Sequence, residues 1–179
     1  MRTIDEQGYH FEEWFTPEEI AKDVKQVAKK ISKDYQGKEP LFVVVLNGAF
    51  VFASDLLRAL DNVRCEVTFI RVSSYWGMSS TGKLEFIVPL QQVVENRDVV
   101  IVEDIVDTGI TMYNVLPLLE NKGAASIKIA CLLQKPEKLQ VDLTVDYCAM
   151  EIPNDFIVGY GLDYDGFGRN YKDIYTLAK

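Results

Sequence analysis

Histidine is all but missing from the 179-residue chain: His10 is the only one. That excludes a multi-histidine metal centre and argues against a histidine-dependent nucleophilic triad, for which His10 is the sole candidate. Cysteine is sparse too. Cys65, Cys131 and Cys148 stand alone, their number is odd and no CxxC occurs, so neither a disulfide framework nor a thiolate zinc site is indicated. Cys65 and Cys131 sit in apolar alternation, which reads as small buried side chains. No apolar run approaches the roughly 18 residues of a membrane span. The opening MRTIDEQGYHFEEW lacks the charged-then-apolar form of a signal peptide. A cytoplasmic, reducing setting with no membrane partner is expected. Positive charge is in deficit: 19 Lys and Arg against 27 Asp and Glu give a net charge of −8. This is the wrong sign for broad nucleic-acid binding, though it leaves room for a small local phosphate site.

What remains is an ordinary globular composition, 48% hydrophobic and 26% charged. One domain over 1–179 is expected, able to bury roughly 70% of the surface its unfolded chain exposes. Thr16-Pro17-Glu18-Glu19 is a capping box with proline at the first helical position. Ile20, Val24, Val27, Ala28 and Ile31 then recur at helical spacing, with Lys22, Lys25, Lys29 and Lys30 on a solvated face. Leu41–Leu46 and Val99–Val102 are continuously apolar, as strands buried on both faces are. Ala49–Leu60 reads as a helix, 63–72 as a strand from the alternation of Val63, Cys65, Val67 and Phe69, and Leu84–Val88 as a short strand. A helix is expected from 109 to 122, with Pro117 marking a kink or a boundary. Alternation over Ile127–Leu133 gives a further central strand, and 145–150 and 156–160 two more. Such alternation of strands and helices means an α/β fold, a largely parallel central sheet flanked by helices. Residues 73–83, SSYWGMSSTGK, are small and polar and read as a flexible loop.

Ligands of such sheets bind beyond the carboxyl ends of the strands. The densest signal there is VVIVEDIVDTGITM, residues 99–112. Glu103 and Asp104 end a buried strand, Asp107 follows, and Thr108-Gly109-Ile110-Thr111 opens a helix. A helix N-terminus with glycine and threonine hydroxyls favours a phosphate, and the carboxylates suit sugar hydroxyls or Mg²⁺.

This stretch resembles the phosphoribosyl-diphosphate signature of the phosphoribosyltransferases, and the rest of 40–175 is similar to the hypoxanthine(-guanine) phosphoribosyltransferases. Leu46-Asn47-Gly48-Ala49-Phe50 resembles their diphosphate loop, Ser74-Tyr75 their lid dipeptide and Leu132-Leu133-Gln134-Lys135 their base-reading segment. Glu151-Ile152-Pro153 and Phe156–Tyr164, with Arg169 beyond, resemble their purine pocket, about 150–175. Asn47 stands where many members carry Lys or Arg, and Ser73 where Lys is frequent.

The resemblance implies a type I fold with a small hood from the chain ends. It also implies Mg²⁺-dependent transfer of ribose 5-phosphate from 5-phosphoribosyl 1-diphosphate to N9 of hypoxanthine or guanine. Asp107 is then the catalytic acid/base. Glu103, Asp104, Asp107, Thr108, Gly109, Ile110 and Thr111 hold the phosphoribosyl group, and Asn47, Gly48 and Arg169 the diphosphate. Lys135, Phe156, Ile157 and Asp163 bind the purine. Asp163, Glu103 and Asp104 hold the metal. Residues 73–83, with Ser74 and Tyr75, act as a lid. A homodimer or homotetramer is implied.

Rival readings exist. Gly77–Lys83 satisfies GxxxxGK, as in a P-loop NTPase, but Leu84 replaces the Mg²⁺-binding hydroxyl and a strand-like segment follows. A phospho-receiver module would use Glu103-Asp104 and Lys135-Pro136, yet Asp104 and Lys135 are only 31 residues apart, too close for the intervening strand and helices. A relative that binds nucleotides only to regulate transcription fits poorly with net charge −8 and an intact Asp107 and Lys135.

Overall fold

The computed structural model describes residues 2–74 and 84–178. The central sheet has six strands: β3 (Leu41–Leu46), β4 (Glu66–Ser74), β5 (Leu84–Val88), β6 (Asp98–Val106), β7 (Ser126–Gln134) and β8 (Tyr147–Glu151). Their order is β5-β4-β3-β6-β7-β8, parallel except where β5 runs against β4. The strand order reverses between β3 and β6. Their carboxyl ends open a crevice there, the usual ligand position in open α/β sheets.

Alternate strand residues face opposite layers. Phe42 and Val44 of β3 pack against α1 (Pro17–Asp34) and α2 (Phe50–Ala59), while Leu41, Val43 and Val45 face α3 (Ile110–Asn121). That is why the two central strands read as unbroken apolar runs. The expected capping box at Thr16 forms, and Ile20, Val24, Val27, Ala28 and Ile31 are the buried face of α1.

A second, four-stranded antiparallel sheet covers one end. It has the order β1 (Thr3–Glu6), β2 (Tyr9–Phe15), β10 (Ile174–Leu177), β9 (Ile157–Val158). This is the hood from the chain ends. The β1–β2 hairpin turns through Gln7 and Gly8, both at positive φ, the geometry that matches strand twist.

Some boundaries differ from expectation. β4 spans 66–74 rather than 63–72, so Ser73 and Ser74 lie in a strand paired with Glu85 and Leu84, not in a loop. The rest of the expected lid, including Tyr75, falls outside the described residues, as does Gly77–Lys83. Strand β5 directly after that segment rules against the helix a P-loop requires. In β4 Thr68 and Ile70 are buried whereas Phe69 is exposed. Cys131 is buried as expected; Cys65 precedes β4 and is half-buried. β6 continues past Val102 to Val106, so Glu103 and Asp104 belong to the strand rather than following it. Pro117 lies inside α3 and marks no boundary. It is exposed, and the Tyr113 carbonyl its missing N–H leaves unbonded lies on the same wet face.

Candidate active site

The crevice between β3 and β6 is lined by backbone from one strand and carboxylates from the other. Gly48, just beyond β3, abuts Asp104: a Cβ there would lie 1.6 Å from Asp104 Oδ2. The Leu46–Asn47 peptide is cis, and Asn47 is exposed. Gly161, at φ +100°, lies against the other side of the loop, where a Cβ would be 2.3 Å from the Gly48 carbonyl oxygen. At Gly161 only glycine fits, and at Gly48 any side chain would have to displace the Asp104 carboxylate. Tyr160 fastens this turn to α2, its hydroxyl donating to Asp55 Oδ2 at 2.7 Å.

Glu103 is buried and Asp104 half-buried. Asp104 N–H donates to Glu103 Oε1 at 3.2 Å, and Ile105 N–H to Asp104 Oδ1 at 2.8 Å. Burial pushes Glu103 well above the usual carboxylate range, and repulsion from Asp104 adds to it. Burial raises Asp104 as well, opposed by hydrogen bonds and by the Arg169 charge. Two such carboxylates favour a bound proton unless a cation neutralises them. Arg169 donates from Nη1 to the Gly161 carbonyl and pairs through Nη2 with Asp163 Oδ1, each at 2.7 Å. Asp163 Oδ2 accepts from Gly166 N–H at 2.7 Å. Gly48, Glu103, Asp104, Gly161, Asp163 and Arg169 thus form one group. Among the described residues no three or more His, Cys, Asp or Glu side chains make a ready metal cage.

Asp107 stands in the turn after β6, and Thr108 Oγ1 accepts from Ile110 N–H at 3.4 Å. Gly109 is the N-cap of α3. No side chain caps that helix and its first turn carries no acid, so its amides and dipole suit an anion held by Thr108, Gly109, Ile110 and Thr111.

Lys135 follows β7 and is 6% exposed. Burial lowers its pKa below the ordinary lysine value, with Lys138 acting in the same direction and Asp107 and Asp155 against it. Those influences place Asp107 and the Asp155–Phe156 corner in the neighbourhood of Lys135. Ile157 is buried at the start of β9, while Phe156 is 46% exposed. The Phe156 ring meets Tyr164 edge-on, centroids 5.1 Å apart, and Phe11 at 6.0 Å. It lines a hollow of about 300 Å³ with Tyr9, Phe11, Tyr164 and Leu177.

Two residues of this region escaped sequence reasoning. Gly161 gave no sign, because its contact joins segments far apart in the chain. Lys138 was legible in part. Lys135-Pro136-Glu137-Lys138 places two lysines three apart, and Pro136–Lys138 folds as a 3₁₀ turn, in which residues i and i+3 eclipse. Lys138 Nζ pairs with Asp107 Oδ2 at 2.7 Å, whereas Asp107 Oδ1 is buried with no hydrogen-bond partner among the described residues.

Comparison with known proteins agrees with this geometry. The phosphoribosyl transferase domain family matches residues 12–165. A hypoxanthine-guanine phosphoribosyltransferase of Streptococcus thermophilus is 41% identical over 92% of each chain. One from Aquifex aeolicus is 41% identical over 89% of this chain and 90% of its own. The crystal structure of a Staphylococcus aureus hypoxanthine phosphoribosyltransferase superposes with TM-score 0.88 at 39% identity, covering 93% of this chain and 91% of that one. A Trypanosoma cruzi hypoxanthine phosphoribosyl transferase gives TM-score 0.89 at 38% identity, covering 98% and 95%. The fold, the carboxylates at the end of β6 and these likenesses lead to one conclusion: the chain belongs to the phosphoribosyltransferase family, in its hypoxanthine-guanine branch.

Proposed function

We propose that the chain is a purine-salvage enzyme. It transfers ribose 5-phosphate from 5-phosphoribosyl 1-diphosphate to N9 of hypoxanthine, and of guanine, giving IMP or GMP and diphosphate. The observation that carries this reading is the meeting, at the β3–β6 crevice, of the buried Glu103–Asp104 pair, the uncapped start of α3, and Lys135 beside Asp107.

The 5′-phosphate lies at the start of α3, on Thr108, Gly109, Ile110 and Thr111. Glu103 and Asp104 accept from the ribose hydroxyls. The diphosphate lies on Asn47, Gly48 and Arg169, whose planar fork of donors suits the anion. As the C1–O bond breaks and N9 bonds to C1, the purine loses a proton to Asp107, an acid/base group. Lys135 donates to the 6-oxo group, Phe156 stacks on the base, and Ile157 and Asp163 meet its edge. The role expected of Ser74 and Tyr75, to keep water from the sugar, belongs to the same reading.

Mg²⁺ fits the residues present. Two adjacent buried carboxylates, Glu103 and Asp104, offer the oxygen ligands a hard ion takes, with Asp163 as a third. When bound it neutralises charge on the departing diphosphate. Free Cys65, Cys131 and Cys148 support a reducing cytoplasm. No helix among the described residues is long and apolar enough to cross a membrane. A homodimer or homotetramer is supported by exposed Ile87 and Leu118 near an apolar hollow of about 260 Å³ lined by Val43, Ile70, Phe86 and Leu119.

The test offers adenine, hypoxanthine, guanine and xanthine with 5-phosphoribosyl 1-diphosphate and Mg²⁺, and reads nucleotide by mass. IMP and GMP are expected. Absence of both overturns the proposal.

A further inference from the structure

We propose that Lys138 is a positioning residue for Asp107: it holds Oδ2 and so leaves Oδ1 as the oxygen that exchanges a proton with the purine. The inference rests on the acid/base reading of Asp107.

A carboxylate has two oxygens that rotation can interchange, and here they are not equivalent. Oδ2 is paired with Lys138 Nζ at 2.7 Å; Oδ1 is buried and has no partner among the described residues. An orphaned buried acceptor is disfavoured unless another molecule is to meet it, and a purine N–H would. The lysine is delivered by backbone rather than by chance reach. Lys135 N–H donates to the Val106 carbonyl at 3.0 Å, Lys138 N–H to the Lys135 carbonyl at 3.1 Å, and Gln140 N–H to the Thr108 carbonyl at 3.0 Å. The 3₁₀ turn carrying Lys138 is therefore tied to the residue before Asp107 and to the residue after it. Lysine and carboxylate share one frame. The two lysines of the turn divide the work: Lys135, buried, serves the base, and Lys138, with its side chain 35% exposed, serves the acid. In the reaction the purine N–H bond breaks as C1–N9 forms, the proton passes to Oδ1, and diphosphate leaves with the C1–O electron pair.

The simpler alternative is a surface ion pair, worth at most about 1 kcal/mol and irrelevant to turnover. Single-turnover rates and steady-state constants for Lys138→Met, Lys138→Arg, Asp107→Asn and the Lys138→Met/Asp107→Asn double variant separate the two. Melting curves and 5-phosphoribosyl 1-diphosphate binding confirm that each variant is folded. Lys138→Met is expected to lower the chemical rate about 10–100-fold, as loss of alignment does. Both KM values should stay within about twofold of the parent. Lys138→Arg should recover most of the rate. In the Asp107→Asn background Lys138→Met should add nothing, since both act through one group. Two independent, multiplying losses overturn the proposal, and so does a change in KM alone. If Asp107→Asn itself turns over normally, the acid/base reading falls, and a slow Lys138→Met then marks a role other than the one proposed.

Discussion

Gly48 and Asp104 touch so closely that a single methyl on the glycine would fall 1.6 Å from the carboxylate oxygen. The loop proposed for the diphosphate and the acid proposed for the ribose therefore fix one another across the switch point of the sheet. Gly48→Ala must displace one of them. It is expected to lower kcat/KM for 5-phosphoribosyl 1-diphosphate about 10²-fold, the scale of a 1 Å misplacement, with little change in KM for hypoxanthine. Steady-state kinetics with each substrate varied in turn measures it.

Lys135 should set the choice of base. Its ammonium has donors and no acceptor, so a 6-oxo group pairs with it and a 6-amino group does not. The parent is expected to use hypoxanthine and guanine and to reject adenine, since a polar mismatch in a buried site can discriminate by about 10⁴ or more. Lys135→Ala should narrow that ratio. Equal discrimination in the variant would remove Lys135 from the reading of the base.

The same lysine gives a pH dependence with a defined sign. Burial holds its native pKa below the ordinary lysine value, so the unfolded chain binds the proton more tightly. Between the lowered native pKa and about 10.4 the unfolded state carries more protons, and stability from this group rises with pH. Denaturation midpoints taken upward from neutral pH should show that rise in the parent and a flatter curve in Lys135→Met.

Tyr160 anchors the turn that brings Gly161 against Gly48. Tyr160→Phe removes a hydrogen bond to Asp55 worth about 1 kcal/mol. For a chain of this size that is a loss of about 2–4 °C in Tm, which a melting curve reads directly. Gly161→Ala should lower Tm further, because its methyl meets a backbone carbonyl that no rotamer can move aside.

Sequence carried the parts of this molecule that burial alone dictates. Leu41–Leu46 and Val99–Val102 are apolar because both faces are covered, and the α1 capping box is a local hydrogen-bond pattern. The carboxylates at the end of β6 were legible because charge at the end of a buried strand needs a reason. The hood was not legible as strands from the residues themselves. β9 and β10 are too short for alternation to register, and Gln7 takes a positive φ that its type does not announce. β4 was placed three residues too early at its start because Val63 and Cys65 carry the apolar alternation beyond the strand itself. Gly161 depends on a contact between distant segments, which no local pattern encodes, whereas for Lys138 the spacing from Lys135 was local and only its partner Asp107 was not.

The hood closes the two ends of the chain on each other, with β10 lying between β2 and β9. β9, which starts at Ile157 beside Phe156, has β10 as its partner. Ribosomal synthesis delivers β10 after both of the strands it pairs with. Until Ile174–Leu177 clear the exit tunnel, the crevice for the sugar can assemble while the wall for the base cannot. A nascent chain stalled short of Ile174 would therefore gain the phosphoribosyl half of its site before the purine half. The order in which substrate recognition matures then follows from β9 being made before the partner that holds it.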